Sequence, residues 1–214
     1  MDLFADIADE RRITADFLGT LNSEQWATPS LCRGWTVHDV AAHLLMPLVT
    51  STWTVAAALL RHRMNFDRAN VDLTAGVAKR SDAELIEGLR DHADDRYTPP
   101  GLGPAAPLTD LLIHGEDMRR PLGLTRDFEA SRLVVALEFL TSGSRLGYVP
   151  PSRLTGLRFE ATDLNWECGE GVDVYGPAES LMLAIAGRPA ALPDLTGDGV
   201  AELAGRIGGL AASR

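Results

Sequence analysis

Apolar residues in the first 150 positions recur at helical spacing, in segments separated by short polar or glycine- and proline-containing breaks. The first segment runs from Leu3 to Leu18 with its apolar side chains on one face, which predicts an amphipathic helix. The second begins at Thr36, because a threonine followed three residues later by Asp39 is a capping box that marks a helix N-terminus. From there the apolar run continues to residue 60 with Pro47 inside it, so we expect one long helix that bends at this proline.

Four further segments are predicted to be helical, the first of them only weakly. Ser81 and Glu84 form a second capping box. Pro121 and Gly123 mark the end of the segment that begins at residue 108. The four predicted helices cover residues 65–80, 81–96, 108–123 and 129–146.

After Pro150 the periodicity changes from helical to alternating. Residues 157–168 alternate between apolar and polar side chains. The Gly-Glu-Gly sequence at 169–171 is a turn that leads into a second strand-like stretch, residues 172–176. This pattern predicts a β-hairpin.

Two short helices complete the C-terminal segment. Pro177 and Gly187 bracket the first, and the second follows Asp198. The predicted fold class is therefore mainly α, with a helical bundle over residues 1–150 followed by a small α+β domain over residues 151–214.

The charge balance is acidic, with 30 Asp and Glu against 20 Lys and Arg, and a net charge of −10. Nothing in the sequence makes a basic patch, so we expect no nucleic-acid partner. Lys79 is the only lysine, a preference for arginine that indicates a GC-rich bacterial genome.

The first residues lack a secretory signal pattern, and Cys32 and Cys168 form no CxxC motif, which favours a reducing cytoplasm. Cys32 precedes a helix start, where positive potential favours a thiolate, but a structural thiol is the commoner case.

Residues 40–60 are long and apolar enough to span a bilayer of ~30 Å. His43, Pro47 and the Ser-Thr-Trp-Thr run inside this segment are unfavourable against lipid. Its small residues also suit close packing inside a helical bundle. We therefore expect no membrane partner.

The helix predicted from residue 108 presents a polar stripe beside its apolar face. Asp110, His114 and Asp117 follow one another at i, i+4 and i+7, so they line up on one side. A carboxylate and an imidazole one turn apart can bind one cation together, and zinc accepts both nitrogen and oxygen ligands. A facing helix would supply the third ligand, and His43, in the middle of an otherwise apolar helix, is the obvious donor.

These residues also have structural interpretations. His114 can pair with Asp110 as a surface i, i+4 contact, and His43 can bond a backbone carbonyl in the core. When each histidine is considered by itself, the structural interpretation is the commoner one. Asp117 is either a group behind His114 or an exposed carboxylate. The remaining histidines lie at a helix entrance or in polar surroundings and are assigned no role: His38, His62 and His92.

Two stretches, WATPSLCRGWTVHDVAAHLL and DLLIHGEDMRRPLG, resemble the mycothiol-dependent maleylpyruvate isomerase family of the DinB-like superfamily. The sequence TDLNWECGEGVDVYGPAESLMLAIAGR, with LTGDG after it, resembles the C-terminal segment of many members. The resemblance covers nearly the whole chain in the same order. It implies a DinB-like four-helix bundle that holds a divalent metal in its interior, zinc in the first place and nickel as the alternative.

The resemblance also implies a ligand set, since members hold the metal with one histidine on the second helix and a Glu-x-x-x-His pair on a later one. Carried over by motif, His43 is the first ligand and His114 the last. The middle position is Asp110, where the isomerase has a glutamate that is longer by one methylene. Asp117 then lies behind the ligands. This departure bears on the metal affinity and, through it, on the activity.

The same resemblance implies mycothiol as cosubstrate. We expect a metal-dependent cytoplasmic enzyme, a monomer or homodimer, that uses this low-molecular-weight thiol for isomerisation or thiol transfer on a small electrophilic substrate.

Three other classes of protein remain as alternatives. One is a metal-dependent hydrolase-like or thiol-transferase enzyme with a different substrate. Another is a non-catalytic bundle that binds a small apolar ligand, with structural histidines. The last is an interaction module that dimerises through an apolar face.

Overall fold

The computed structural model of the chain describes residues 2–142 and 149–211. The helices are α1 (Leu3–Leu18), α2 (Ser23–Trp26), α3 (Val37–Val49), α4 (Thr52–Arg61), α5 (Phe66–Val77), α6 (Asp82–Asp91), α7 (Ala105–Arg119), α8 (Ala130–Thr141), α9 (Pro151–Leu154), α10 (Ala178–Ile185) and α11 (Val200–Ala211). The strands are β1 (Leu157–Ala161), β2 (Glu167–Gly169) and β3 (Val172–Gly176). Short 3₁₀ helices cover Arg120–Leu122 and Pro189–Asp194.

Four helices of the N-terminal part form a bundle, in which α1 and α3 each pack against both α6 and α7. The leucines that face the interior of this bundle are at most 1% exposed: Leu18, Leu45, Leu85, Leu89, Leu108 and Leu112. The connection between α3 and α6 forms α4 and α5, which pack against each other, and α5 also packs on α3. The predicted four-helix bundle is confirmed.

The long helix predicted from Thr36 is interrupted. It starts as expected at the Thr36–Asp39 capping box, but α3 ends at Val49 and α4 leaves at an angle of 118°. The break falls beyond Pro47, because Ser51 caps α4 by accepting a hydrogen bond from the amide of Thr54. A hydroxyl that bonds the local backbone in this way competes with continuation of the helix.

The apolar run after the break lies on the surface, since Trp53 is 85% exposed and Leu60 is 75% exposed. Among the described residues, no single helix is both long and apolar enough to cross a bilayer. Only the bent pair α3 and α4, taken together, meets that criterion of length and composition.

The described chain divides into two compact units between Thr125 and Arg126. This division comes earlier than the boundary after residue 150 that the sequence suggests. The difference arises from α8, which packs against α10 of the second unit, while the four-helix bundle is complete without it. Residues 143–146 of the helix predicted over 129–146 lie outside the described residues.

The second unit contains a three-stranded sheet in the order β2-β1-β3. β2 runs antiparallel to β1, whereas β3 runs parallel to it, so the hairpin predicted across 169–171 is wrong. After β2 the chain instead crosses the start of β1 and pairs on its other side. Gly169 and Gly171 permit this crossing, because both have positive φ and a Cβ on Gly171 would collide with the backbone of Gly156.

Candidate metal centre

His43 is carried into the bundle by the first turns of α3. The start of that helix is fixed by its capping box, in which the Thr36 amide donates to Oδ2 of Asp39 at 2.9 Å. About two turns later, His43 follows the fully buried Val40 and precedes the fully buried Leu45. Its side chain is 14% exposed, and its ring packs against that of Trp35 with centroids 5.3 Å apart.

Asp110 and His114 come from one face of α7, one turn apart, and meet His43 there. Nε2 of His114 lies 3.4 Å from Oδ1 of Asp110, and Nε2 of His43 lies 3.6 Å from Oδ2 of the same carboxylate. The two imidazole rings stand nearly perpendicular, with centroids 4.8 Å apart. The structure therefore brings together the three residues that the sequence selects, with one donor atom of each within 4.8 Å of the others.

These separations fit a metal ion better than they fit hydrogen bonds. An N–H···O bond is ordinarily about 2.7–3.2 Å long, shorter than both contacts of Asp110. Ligand atoms about 2.0–2.1 Å from a tetrahedral zinc are roughly 3.3–3.4 Å from one another, which is close to what is observed. Two imidazoles and a carboxylate are also a donor set that zinc accepts. The residues present thus fit a divalent metal.

Electrostatics in the cluster favour a positive charge beside Asp110. Burial acts to raise the pKa of Asp110, but the imidazoles of His114 and His43 hold that pKa well below its ordinary value. Burial acts to lower the pKa of His114, but the charge and close contact of Asp110, with Asp117 and Cys32 beside the other ring nitrogen, hold that pKa well above its ordinary value. Without a metal, the His114 imidazolium supplies the positive charge that a bound cation would otherwise supply.

Asp117 lies directly behind His114. Its side chain has no exposed surface, which rules out the interpretation as an exposed carboxylate. Oδ2 of Asp117 accepts a hydrogen bond from Nδ1 of His114 at 2.8 Å. Because Nδ1 is engaged in this way, Nε2 of His114 faces Asp110 and His43. A carboxylate behind a histidine ligand is the usual means of fixing its tautomer and orientation.

The loop before α3 adds two residues that sequence reasoning assigned no place at the site. Sγ of Cys32 donates to Oδ2 of Asp117 at 3.1 Å, and Trp35 packs on His43. The sequence signal for both is their position in the LCRGW stretch just before the helix that bears His43. Tyr97 is near enough that the charge of Asp110, after burial, raises the pKa of its phenol.

The other three histidines lie outside this cluster, each paired with its own aspartate. Their contacts are His38 with Asp82 at 2.7 Å, His62 with Asp72 at 3.2 Å and His92 with Asp95 at 2.7 Å.

Comparison with known proteins agrees with the architecture. A family model described as the mycothiol maleylpyruvate isomerase N-terminal domain matches residues 7–112. The fold is similar to a crystal structure of a mycothiol-dependent maleylpyruvate isomerase (TM-score 0.51) and to that of a histidine-to-alanine mutant of such an enzyme (TM-score 0.54). Each match has 17% sequence identity and covers 92% of this chain and 96% of the other. No curated protein sequence matches the chain. The predicted fold class is confirmed.

Proposed function

We propose that this chain, whose residues 7–112 match the family model of the mycothiol maleylpyruvate isomerase N-terminal domain, is a metal-dependent enzyme that uses a low-molecular-weight thiol. The thiol is mycothiol, and the reaction is isomerisation of, or thiol transfer to, a small electrophilic substrate. The substrate class follows the name of the related enzymes, which are maleylpyruvate isomerases.

His43, Asp110 and His114 would hold the metal, with zinc as the first choice and nickel as the alternative. A divalent cation at this place would favour the thiolate form of the cosubstrate, since a coordinating thiol is deprotonated outright. The thiolate would add to an electrophilic carbon of the substrate. Addition would leave the electron pair on the neighbouring carbon, so that rotation followed by loss of the thiolate would give the cis–trans isomer. If that carbon instead took a proton from solvent, the new C–S bond would be retained and a thiol adduct would result.

The observation that carries the proposal is the spacing of the three donors, 3.4 and 3.6 Å across Asp110, with Asp117 bonded behind His114. A surface contact between His114 and Asp110 would need neither His43 nor a fully buried Asp117. A core histidine bonded to a backbone carbonyl is also not what is found, because Nδ1 of His43 is buried without a hydrogen-bond partner among the described residues. Both structural interpretations therefore explain less of the geometry.

The side chain of Asp110 is 28% exposed, so the donor set has an open side. Structural zinc sites are closed by four protein ligands, whereas catalytic sites keep a position for water or substrate. Three protein donors, one of them partly exposed, correspond to the catalytic kind of site. Asp117, by holding His114, would keep that donor in place while the thiol and the substrate exchange.

Elemental analysis of the purified full chain, beside a His43→Ala, His114→Ala double variant, tests the metal. A His62→Ala, His92→Ala double variant removes two histidines outside the cluster and serves as the control. We expect near-stoichiometric zinc or nickel in the wild type and the control, and none in the first variant. Absence of metal from the wild type, even after incubation with excess zinc, would overturn the metal site.

The metal-loaded protein is then assayed for isomerisation of maleylpyruvate, and for consumption of other small electrophiles, with and without mycothiol. We expect turnover that requires both mycothiol and the metal. If the protein binds the metal but shows no mycothiol-dependent reaction with maleylpyruvate or the other electrophiles, the metal site is retained and the enzymatic assignment is overturned.

A further inference from the structure

A second group of donors lies on the opposite edge of the His114 ring. Nδ1 of His114 is 2.8 Å from Oδ2 of Asp117 and 3.5 Å from Sγ of Cys32, and the latter two atoms are 3.1 Å apart. The three atoms therefore form a compact triangle of sulfur, nitrogen and oxygen. The set shares His114 with the site proposed above, but it uses the other ring nitrogen.

We propose that Cys32, His114 and Asp117 form a second metal site, which takes a thiophilic divalent cation of the zinc, cobalt or cadmium class. Zinc–ligand bonds are about 2.0–2.1 Å to nitrogen and oxygen and about 2.3 Å to sulfur. For a triangle with the observed sides, an ion at about those distances from all three atoms lies roughly 1 Å out of their plane. The 2.8 and 3.1 Å sides are hydrogen-bond lengths, shorter than the roughly 3.3–3.6 Å between neighbouring ligands of a tetrahedral zinc, so the donors would move apart by a few tenths of an ångström as their protons leave. One further position would remain for a solvent ligand.

The donors are held in place by contacts that do not involve the metal. The amide of Leu31 donates to the carbonyl oxygen of Asp117 at 3.0 Å, so the main chain beside Cys32 is tied to α7. The amide of Cys32 donates to Oγ of Ser30 at 3.1 Å, and the carbonyl of Cys32 accepts from the amide of Trp35 at 3.0 Å. A donor set whose supporting bonds are already made loses little entropy on binding an ion.

In the metal-free protein the S–H proton and the Nδ1 proton both point to Asp117, where the cation would bind. Binding replaces these two protons, which leave to solvent, with one divalent ion, so that the thiolate and the ring nitrogen become ligands. The first set draws on Nε2 of His114 and the second on Nδ1, so filling either site alone removes one ring proton, whereas filling both at once would leave the ring as a bridging imidazolate that has lost both N–H protons.

The second site is therefore testable even if the proposed function fails. Co²⁺ is the probe, titrated into the reduced, metal-free full chain while the sulfur-to-cobalt charge-transfer band in the near ultraviolet is recorded. That band reports a thiolate ligand and is silent for a site of two imidazoles and a carboxylate. We expect it to appear in the wild type.

The matched variants are Cys32→Ser, which retains a hydroxyl that can donate to Asp117, and Cys168→Ser, which removes the other cysteine. We expect the band to disappear in Cys32→Ser and to persist in Cys168→Ser. It should also persist in His43→Ala, in which the first donor set has lost a ligand. Asp117→Asn should weaken cobalt binding as judged by the band.

No band in the wild type at saturating Co²⁺ would overturn the second site, and so would a band that survives in Cys32→Ser. A band lost in His43→Ala as strongly as in Cys32→Ser would mean a single site that includes both residues, which also contradicts the proposal. Loss of metal from the His43, Asp110 and His114 set concerns the proposed function alone and leaves the cobalt–sulfur band unchanged.

Discussion

Asp117, with no exposed side-chain surface, accepts a hydrogen bond from Nδ1 of His114 at 2.8 Å, less than one turn away on α7. This bond leaves Nε2 of His114 directed at Asp110. The pair therefore fixes which nitrogen is offered to a cation beside His43.

Replacement of Asp117 by asparagine tests this relationship. We expect Asp117→Asn to lower the zinc affinity of the first site by about 10–100-fold, the usual effect of losing a carboxylate behind a metal-bound histidine. Competition with a chromophoric chelator measures the affinity. Asp82→Asn is the control, because Asp82 contacts His38 at the same kind of distance outside the cluster. Equal losses in both variants would contradict a specific role for Asp117.

Asp110 is the proposed ligand that departs from the Glu-x-x-x-His pattern implied by the family resemblance, and the effects of its charge and of its length can be tested separately. Asp110→Asn keeps the size of the side chain but removes its charge. We expect it to lower the zinc affinity by more than the about 10–100-fold that follows from losing a carboxylate behind a ligand. Asp110→Glu keeps the charge and adds a methylene, and we expect affinity within about tenfold of the wild type. Isothermal titration of zinc into both variants and the wild type measures these affinities. Unchanged binding in Asp110→Asn would remove this carboxylate from the ligand set.

The metal-free protein should show a pH-dependent contribution of His114 to stability. Its raised pKa means that the contribution is complete below its unfolded value of about 6.5 and is lost as the pH rises through the folded value. The lowered pKa of Asp110 means that its contribution is present above about 4 and is lost as the pH falls through its folded value.

The two contributions overlap between about pH 4 and 6.5. In that window we expect His114→Gln to lower the free energy of unfolding, by an amount that shrinks as the pH rises through the folded pKa of His114. Urea unfolding in the presence of a chelator measures the difference. His92→Gln, whose partner Asp95 is exposed, is the comparison. If the stability lost in His114→Gln increased with rising pH, a charged pair between His114 and Asp110 would be contradicted.

Close packing of α3 on α6 depends on Gly88. A Cβ at this position would lie 2.7 Å from Cδ2 of Leu45, which is fully buried. We expect Gly88→Ala to destabilise by about 1 kcal/mol net, because overpacking costs more than the gain in helix propensity. Gly76→Ala, with nothing within 4 Å of the added Cβ, should be stabilising by up to about 1 kcal/mol. Thermal or denaturant unfolding compares the two. A Gly88→Ala protein as stable as Gly76→Ala would show that Leu45 yields without cost.

The sequence predicts a helical bundle and the stripe on α7 because both follow from local periodicity and capping, and the resemblance to the family implies that the bundle has four helices. It places the break after α3 wrongly, at Pro47, since a proline in the last turn is accommodated while Ser51 sets the next helix start. The hairpin error has a similar origin. Local turn signals at Gly169 and Gly171 show that the chain turns, but not that it crosses β1 to pair on the far side.

Of the candidate site, too, the sequence predicts one part and misses another. Asp110 and His114 could be selected from helical spacing, and His43 from its position in the middle of an otherwise apolar helix. Cys32 could not, because its contact with Asp117 joins residues 85 positions apart through the folding of a loop. Nor could the burial of Asp117 be foreseen, since the stripe position alone allows either a buried or an exposed carboxylate.

The bond between the Leu31 amide and the carbonyl of Asp117 runs through the main chain, and so do the bonds of Ser30 and Cys32 with Trp35. Substituting any of these side chains leaves those bonds available. Surface loops ordinarily tolerate changes of length, but this one is fixed at one end by α7 and at the other by the Thr36 cap. Adding or deleting one residue between Leu31 and Thr36 would shift Cys32 or Trp35 away from its histidine. For this loop, length is a stricter requirement than composition.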